Sequence, residues 1–319
     1  MRMSRFVALA CSVAAMLFCG PMVFAQNYPG KLVRIVTSSP GNLSDTMARI
    51  VAQQLTKSLG QQVIVENRPG AVIPVETVLK AAPDGYTLLF VSDSFIGGPF
   101  LQEARYDPQK DFSPVALVAL SPSILVVIPS LAVGSVKELI TLSKVRPGGL
   151  NYGSSSNGST SHTAMELFKI MAGVSMVRVP YRGNAEAISA AMGAEVQVLM
   201  QTVPLALPQI KTGRLKALAV TSAQPSPLVP DLPTVADTLP GYEAQSLLGL
   251  VAPANTPAAI VNQLNQEIVR MLQSAEVRER LSTLGAQPVG NSPEQFSGVL
   301  KSAVSRLANI IKQTGLKLE

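Results

Sequence analysis

Short apolar runs alternate with helical-period stretches along most of the 319-residue chain. Runs rich in Val, Ile and Leu read as strands at 32–38 (LVRIVTS), 61–67, 86–92 (YTLLFVS), 123–129 (SILVVIP), 150–155, 176–181, 196–202 and 215–221. Between them, amphipathic stretches predict helices over 44–59, 135–144, 163–171, 185–192 and 204–212. Strands separated by helices argue for an α/β fold with parallel sheets covered on both faces. Near the C-terminus, Ile260, Leu264, Ile268 and Leu272 form one apolar stripe, and Phe296, Leu300, Val304, Leu307 and Ile311 form another; both read as packing helices. Ser135 with Glu138, and Ser292 with Gln295 behind Pro293, have the spacing of capping boxes.

Two stretches break the alternation. Residues 111–129 and 242–253 are long, extended in character and almost free of charge. The pattern alone admits two readings, a chain that crosses into a second domain and returns, or two buried strands of one sheet.

The first 25 residues are set apart. Arg2 and Arg5 precede an apolar run from Phe6 to Phe18, then Gly20-Pro21 and the small-residue end at Ala25. This is the layout of a secretory signal peptide cut after Ala25. The run is short of the roughly 20 residues a membrane span needs, and Phe18 is too bulky before Cys19 for a lipoprotein signal. Both cysteines, Cys11 and Cys19, lie in this segment, so the exported chain would carry no disulfide and no thiolate metal site. The net charge of +6 is spread along the chain, and there is no Trp. A basic stripe with stacking aromatics is missing, so nucleic acid is not an expected partner.

Candidate chemistry is sparse. His162 is the only histidine, and Ser159 lies three residues before it, but no Gly-x-Ser-x-Gly elbow occurs. No metal-ligand cluster, P-loop or dinucleotide fingerprint is present. The chain is expected to be no enzyme and to hold no metal or cofactor. What it does have is polar turns between strand ends and helix starts, at 38–45 (SSPGNLSD), 153–162 (GSSSNGSTSH), 181–184 and 202–204. Helix N-termini present free N–H groups and a positive dipole end, and in open parallel sheets ligands gather at such junctions. Each junction taken alone is equally an ordinary helix cap.

The ordered series Tyr28-Pro29, Glu66-Asn67-Arg68-Pro69-Gly70-Ala71, Ala82-Pro83-Asp84-Gly85-Tyr86-Thr87, Leu150-Asn151-Tyr152 with the Ser-rich loop to His162, Val179-Pro180-Tyr181-Arg182-Gly183, Leu215-Lys216-Ala217-Leu218 and Leu232-Pro233-Thr234 resembles the Bug family. These are periplasmic substrate-binding proteins of tripartite tricarboxylate transporters, and the resemblance covers essentially the whole mature chain. It implies a two-lobed periplasmic-binding-protein fold of type II, each lobe a mainly parallel sheet flanked by helices, with two hinge-crossing strands. The implied division is 26–122 plus 250–319 for one lobe and 123–249 for the other. The implied function is capture of a small carboxylate (a di- or tricarboxylate, acidic amino acid or aromatic acid) and its delivery to membrane permease subunits by a monomeric periplasmic receptor. A metabolite sensor with the same cleft, and a serine hydrolase built on Ser159 and His162, are the alternatives.

Carried over by position, the resemblance implies a ligand site from Ser38, Ser39, Pro40, Gly41, Asn42, Leu43, Ser44 and Asp45 in the first lobe, with Ser92, Asp93 and Ser94 after the third strand. The second lobe would supply Ser155, Asn157, Ser159, Thr160, Ser161 and His162, then Tyr181, Arg182 and Gly183, and Gln201 with Thr202. His162 reads either as a turn residue ordering the loop or as a ligand contact, with the helix dipole favouring its neutral form. There are four departures from the family pattern. Asn42 replaces a glycine, and Val72-Ile73 replaces a Gly-Gly in a turn whose following segment is two residues shorter. Gln201 stands where an acid is common, which makes the pocket less negative and suits a more anionic ligand. Asp93 adds a carboxylate that reads either as an acceptor for a ligand amino or hydroxyl group or as a solvent-facing turn residue.

Overall fold

The computed structural model describes residues 28–70, 72–100, 104–155 and 157–315. The expected signal segment lies outside them. The chain begins with a β-α-β-α-β run: β1 (Val33–Thr37), α1 (Leu43–Leu59), β2 (Val63–Asn67), α2 (Ile73–Leu79) and β3 (Thr87–Val91). β1 pairs in parallel with both β2 and β3. Every residue of β3 is buried, as the apolar run Leu88-Leu89-Phe90-Val91 requires of a central strand. A short helix α3 (Asp93–Gly97) follows at once.

β4 (Phe112–Val127) is then a single 16-residue strand. Its first part, Phe112 to Pro122, pairs antiparallel with β9 (Gln245–Pro253), and from Ser123 onward its partners are β7 (Val198–Thr202) and β8 (Lys216–Val220). β4 therefore carries the chain from one half of the sheet into the other. β9 lies in the first half, against β4 and β3, while Ala244 just before it still donates to Thr221 in the second half. Beyond β4 come α4 (Val136–Val145), β5 (Asn151–Ser154), α5 (Thr160–Ala172), β6 (Val177–Pro180), α6 (Asn184–Met192), β7, α7 (Val203–Lys211) and β8. β5 pairs in parallel with β6 and β7. The strand sets β2-β1-β3 and β6-β5-β7 thus pair in parallel, as expected, while β8 pairs antiparallel with β4. The sheet as a whole is mixed, because β4 and β9 run through its middle in opposite directions.

After β9 follow α8 (Ala258–Leu272), α9 (Ala275–Thr283), β10 (Gln287–Pro288) and α10 (Pro293–Thr314). The α8 stripe is buried as its spacing predicts, on the face of the first half that also holds Val33, Ile35, Leu88 and Phe90. The opposite face is filled by Val36, Leu89, Phe95, Phe112, Phe296 and Leu300. The second half has its own two-faced core, Tyr152, Met165, Phe168, Met200 and Tyr242 on one side and Ile124, Val126, Ile188 and Leu199 on the other. α10 belongs to both halves. Its Phe296 and Leu300 pack in the first, and its last turn turns Ile310, rather than the expected Ile311, into the second.

Candidate functional site

The loop from β1 to α1 is pinned from beneath. Asn42 caps α1 by accepting from the Asp45 N–H at 2.8 Å, and its amide donates to the Ser38 hydroxyl at 2.8 Å. The side chain where the family pattern has glycine is thus spent on holding the turn. Asp45 points inward: it accepts from Gly41 N (2.9 Å), Asn67 Nδ2 (2.8 Å) and Arg49 Nε (3.2 Å). Burial pushes its carboxyl up, but the Gly41, Asn67 and Arg49 hydrogen bonds and the Arg49 charge outweigh that and hold it below the ordinary carboxylate range. Gly41 has φ +80°, a left-handed turn that glycine adopts without strain.

Above this loop opens a cavity of about 400 Å³ lined by Ser38, Ser39, Asn42, Leu43, Ser44, Gly70, Ser92, Asp93, Ser94, Ser246 and Leu248. Eight of the expected site residues meet here. Pro40, Gly41 and Asp45 belong to the turn beneath. Ser246 and Leu248 come from β9, whose apolar sequence signalled a buried strand and gave no hint that it floors a cleft.

Asp93 is not a solvent-facing turn residue. Its Oδ2 accepts from Ser246 Oγ at 2.7 Å and from Thr160 Oγ1, and its Oδ1 accepts from Leu247 N at 3.1 Å. It joins the end of β3 to β9 and to the first turn of α5 in the other half of the sheet. Behind it lies a second, smaller cavity of about 90 Å³ between α5 and α10, lined by Thr160, Leu167, Gln245, Arg306 and Ile310 among others.

The second-half loop is held by a residue absent from the expected site. Arg178, in β6, donates through Nε to Ser154 Oγ (2.7 Å), through Nη2 to Ser155 O (2.8 Å) and through Nη1 to Asn157 Oδ1. Ser161 Oγ takes the Ser155 N–H at 3.1 Å. Ser159 is the N-cap of α5, accepting from His162 N at 3.4 Å. His162 is buried in the first turn of that helix, and its Nδ1 accepts from Gly158 N at 3.3 Å. The ring therefore orders the turn, and the serine hydroxyl serves the cap instead of meeting the imidazole. Burial, reinforced by the Arg178 charge, pushes His162 down from 6.5 to about 4. The sequence signal for Arg178 was only a cation in a short strand, which ordinarily marks a solvated face.

The remaining expected residues sit at the starts of α6 and α7. Tyr181 Oη donates to Glu195 at 3.5 Å, Arg182 is exposed with its N–H on Glu186, and Gly183 is the N-cap of α6. Gln201 is fully buried; its amide donates to Asn184 O at 3.5 Å and its Oε1 has no hydrogen-bond partner. Thr202 is half-buried as the N-cap of α7. The arrangement offers hydroxyls and N–H groups to a small polar molecule. It brings together no nucleophile–base pair at Ser159 and His162, and among the described residues no cluster of metal-ligating side chains occurs.

Comparison with known proteins bears on what such a site is for. The tripartite tricarboxylate transporter family receptor profile matches residues 47–316. Protein BugT of Bordetella pertussis is 35% identical over 326 residues, covering 100% of each chain. The structure of R. palustris Rpa4515 with adipate is 34% identical, with a TM-score of 0.74 over 91% of this chain and 99% of that one. MatC (Rpa3494) from Rhodopseudomonas palustris with bound malate is 29% identical, with a TM-score of 0.70 over 89% and 100%. A TctC solute binding protein from Polaromonas, at 24% identity and a TM-score of 0.82 over 90% and 99%, shares the fold, a mixed sheet flanked by helices. With the profile spanning most of the chain and a relative matched end to end, the chain belongs to the tripartite tricarboxylate transporter receptor family.

Proposed function

We propose that the protein is a periplasmic receptor that takes up a small carboxylate between two lobes and hands it to the permease subunits of a tripartite tricarboxylate transporter. The observation that carries this reading is the 400 Å³ cavity at the carboxyl ends of β1 and β3, walled by hydroxyls and by the start of α1, in a chain of a receptor family. Helix N-termini and hydroxyls hold an anion without a cationic clamp. Adipate and malate in two related structures are both carboxylates.

The lobes are 26–122 with 250–319 and 123–249. The change of β4 partners at Pro122 and Ser123 supports the first boundary. The pairing of Gln245 with Pro122 supports a return slightly earlier than residue 250. The ligand site is built from the cavity residues named above, faced by Thr160 and the α5 turn. Binding is non-covalent, with no cofactor, and the receptor acts as a monomer after export through its first 25 residues. Removing the gene should abolish uptake of the carboxylate that the purified protein binds, and plasmid-borne restoration should return it. Uptake that persists undiminished would contradict the transport role.

A further inference from the structure

The reading of the cleft as a carboxylate site leaves open which carboxylates it takes, and Asp93 bears on that choice. Asp93 lines the main cavity together with serines, Asn42, Gly70 and two leucines. It is held there by Ser246 Oγ at 2.7 Å, by Leu247 N at 3.1 Å and by Thr160. These anchors come from β9 and α5, so the group is held from two sides.

No cation is among its partners. Among the described residues, no Lys, Arg or His lines the cavity either. Arg49 is committed to Asp45 and Asn67, Arg178 to the loop after β5, and Arg306, which lines the smaller cavity behind Asp93, to Glu243. Burial already pushes the Asp93 carboxyl up, against the pull of its three donors. One ligand carboxylate can sit on the hydroxyls and helix start of the first-half loop. A second one in the same cavity has to face a fixed carboxylate, or bring a proton with it.

We infer that Asp93 makes the cleft select acids with a single carboxylate, whose remaining part is uncharged or carries a hydroxyl or ammonium donor, over di- and tricarboxylates. Oδ1 accepts only one hydrogen bond from the protein, and a carboxylate oxygen can accept a second. A donor on the ligand fits that lone pair. The inference rests on the carboxylate-receptor reading and departs from the adipate and malate of the related structures.

The test is calorimetric titration with acids of equal chain length: butyrate, 4-hydroxybutyrate and succinate, then hexanoate, 6-hydroxyhexanoate and adipate. In the unmodified protein the best monoacid of a set should bind about tenfold or more tighter than its diacid. In Asp93→Asn, which keeps the shape and removes the charge, that ratio should fall by about tenfold. A diacid that binds the unmodified protein as tightly as its monoacid overturns the inference, as does an unchanged ratio in a folded Asp93→Asn. If the variant does not fold, the ratio in the unmodified protein decides alone. Failure of every monoacid and diacid to bind would instead overturn the carboxylate-receptor reading beneath it.

Discussion

At the residue scale, the polar side chains of the site divide into those that face the cavity and those that hold the facing ones in place. Sequence reasoning found the loops but could not make that division. Asn42, Asp45, Asn157 and Ser159 all look like ligand contacts in a string of small polar residues, yet Asp45, Asn157 and Ser159 spend their oxygens on Arg49, Arg178 and a helix cap. Arg178 has no local sequence signal, because its partners are a hydroxyl, a carbonyl and an amide on a neighbouring loop, a long-range set that no local spacing announces. Arg178→Gln removes that set and should weaken ligand binding by about tenfold, roughly 1.4 kcal/mol, as measured by titration, while the melting temperature moves by only a few degrees. His162 predicts a pH dependence. Its folded pKa of about 4 lies below its ordinary 6.5, so the unfolded chain binds the proton first. Its contribution is complete above about pH 6.5 and is lost as pH falls toward 4, by up to about 3 kcal/mol. Urea denaturation across that range should show the decline, and a folded His162→Gln should show a flatter profile.

At the element scale, the periodic segments were legible because local pattern and burial agree. The strands expected at 32–38, 61–67, 86–92, 150–155, 176–181, 196–202 and 215–221 all form within two residues at either end. The run at 123–129 is the second part of the longer β4, and its sequence could not reveal a change of partners halfway along. The helix expected at 163–171 begins at Thr160, since Ser159 is its cap. The sequence pattern gives no sign of α2, α3 or α9; α2 and α3, of seven and five residues, are too short to carry a helical period. β9 depends on one glycine. A Cβ on Gly249 would come within 2.4 Å of the Phe296 ring and 3.0 Å of Ala116 O, in backbone that cannot yield easily. Gly249→Ala should therefore cost about 1–3 kcal/mol. Phe296→Ala, which empties the same contact from the α10 side, should cost about 3–5 kcal/mol. Chemical denaturation measures both, and a change below 0.5 kcal/mol in either would contradict the packing described.

At the scale of the whole molecule, two half-sheets share β4, and α10 spans both, with Arg306 donating to Glu243 at 2.6 Å and 2.8 Å. The resemblance in the sequence carried the fold class well, while local pattern alone could not separate crossing strands from two buried strands of one sheet. In the proposed receptor only a difference in ligand affinity between open and closed forms can move the lobes. A ligand at a hundred times its dissociation constant adds about 2.7 kcal/mol of stability. The central claim is that the cleft recognises a carboxylate through hydroxyls and helix N–H groups. It is tested most directly by titrating the purified protein calorimetrically with small carboxylic acids, each set against its matched neutral amide. The account predicts that at least one acid binds with a dissociation constant of about 1 μM, near −8 kcal/mol, and that its amide binds at least about a hundredfold more weakly. Binding of no acid, or equal binding of acid and amide, would contradict it.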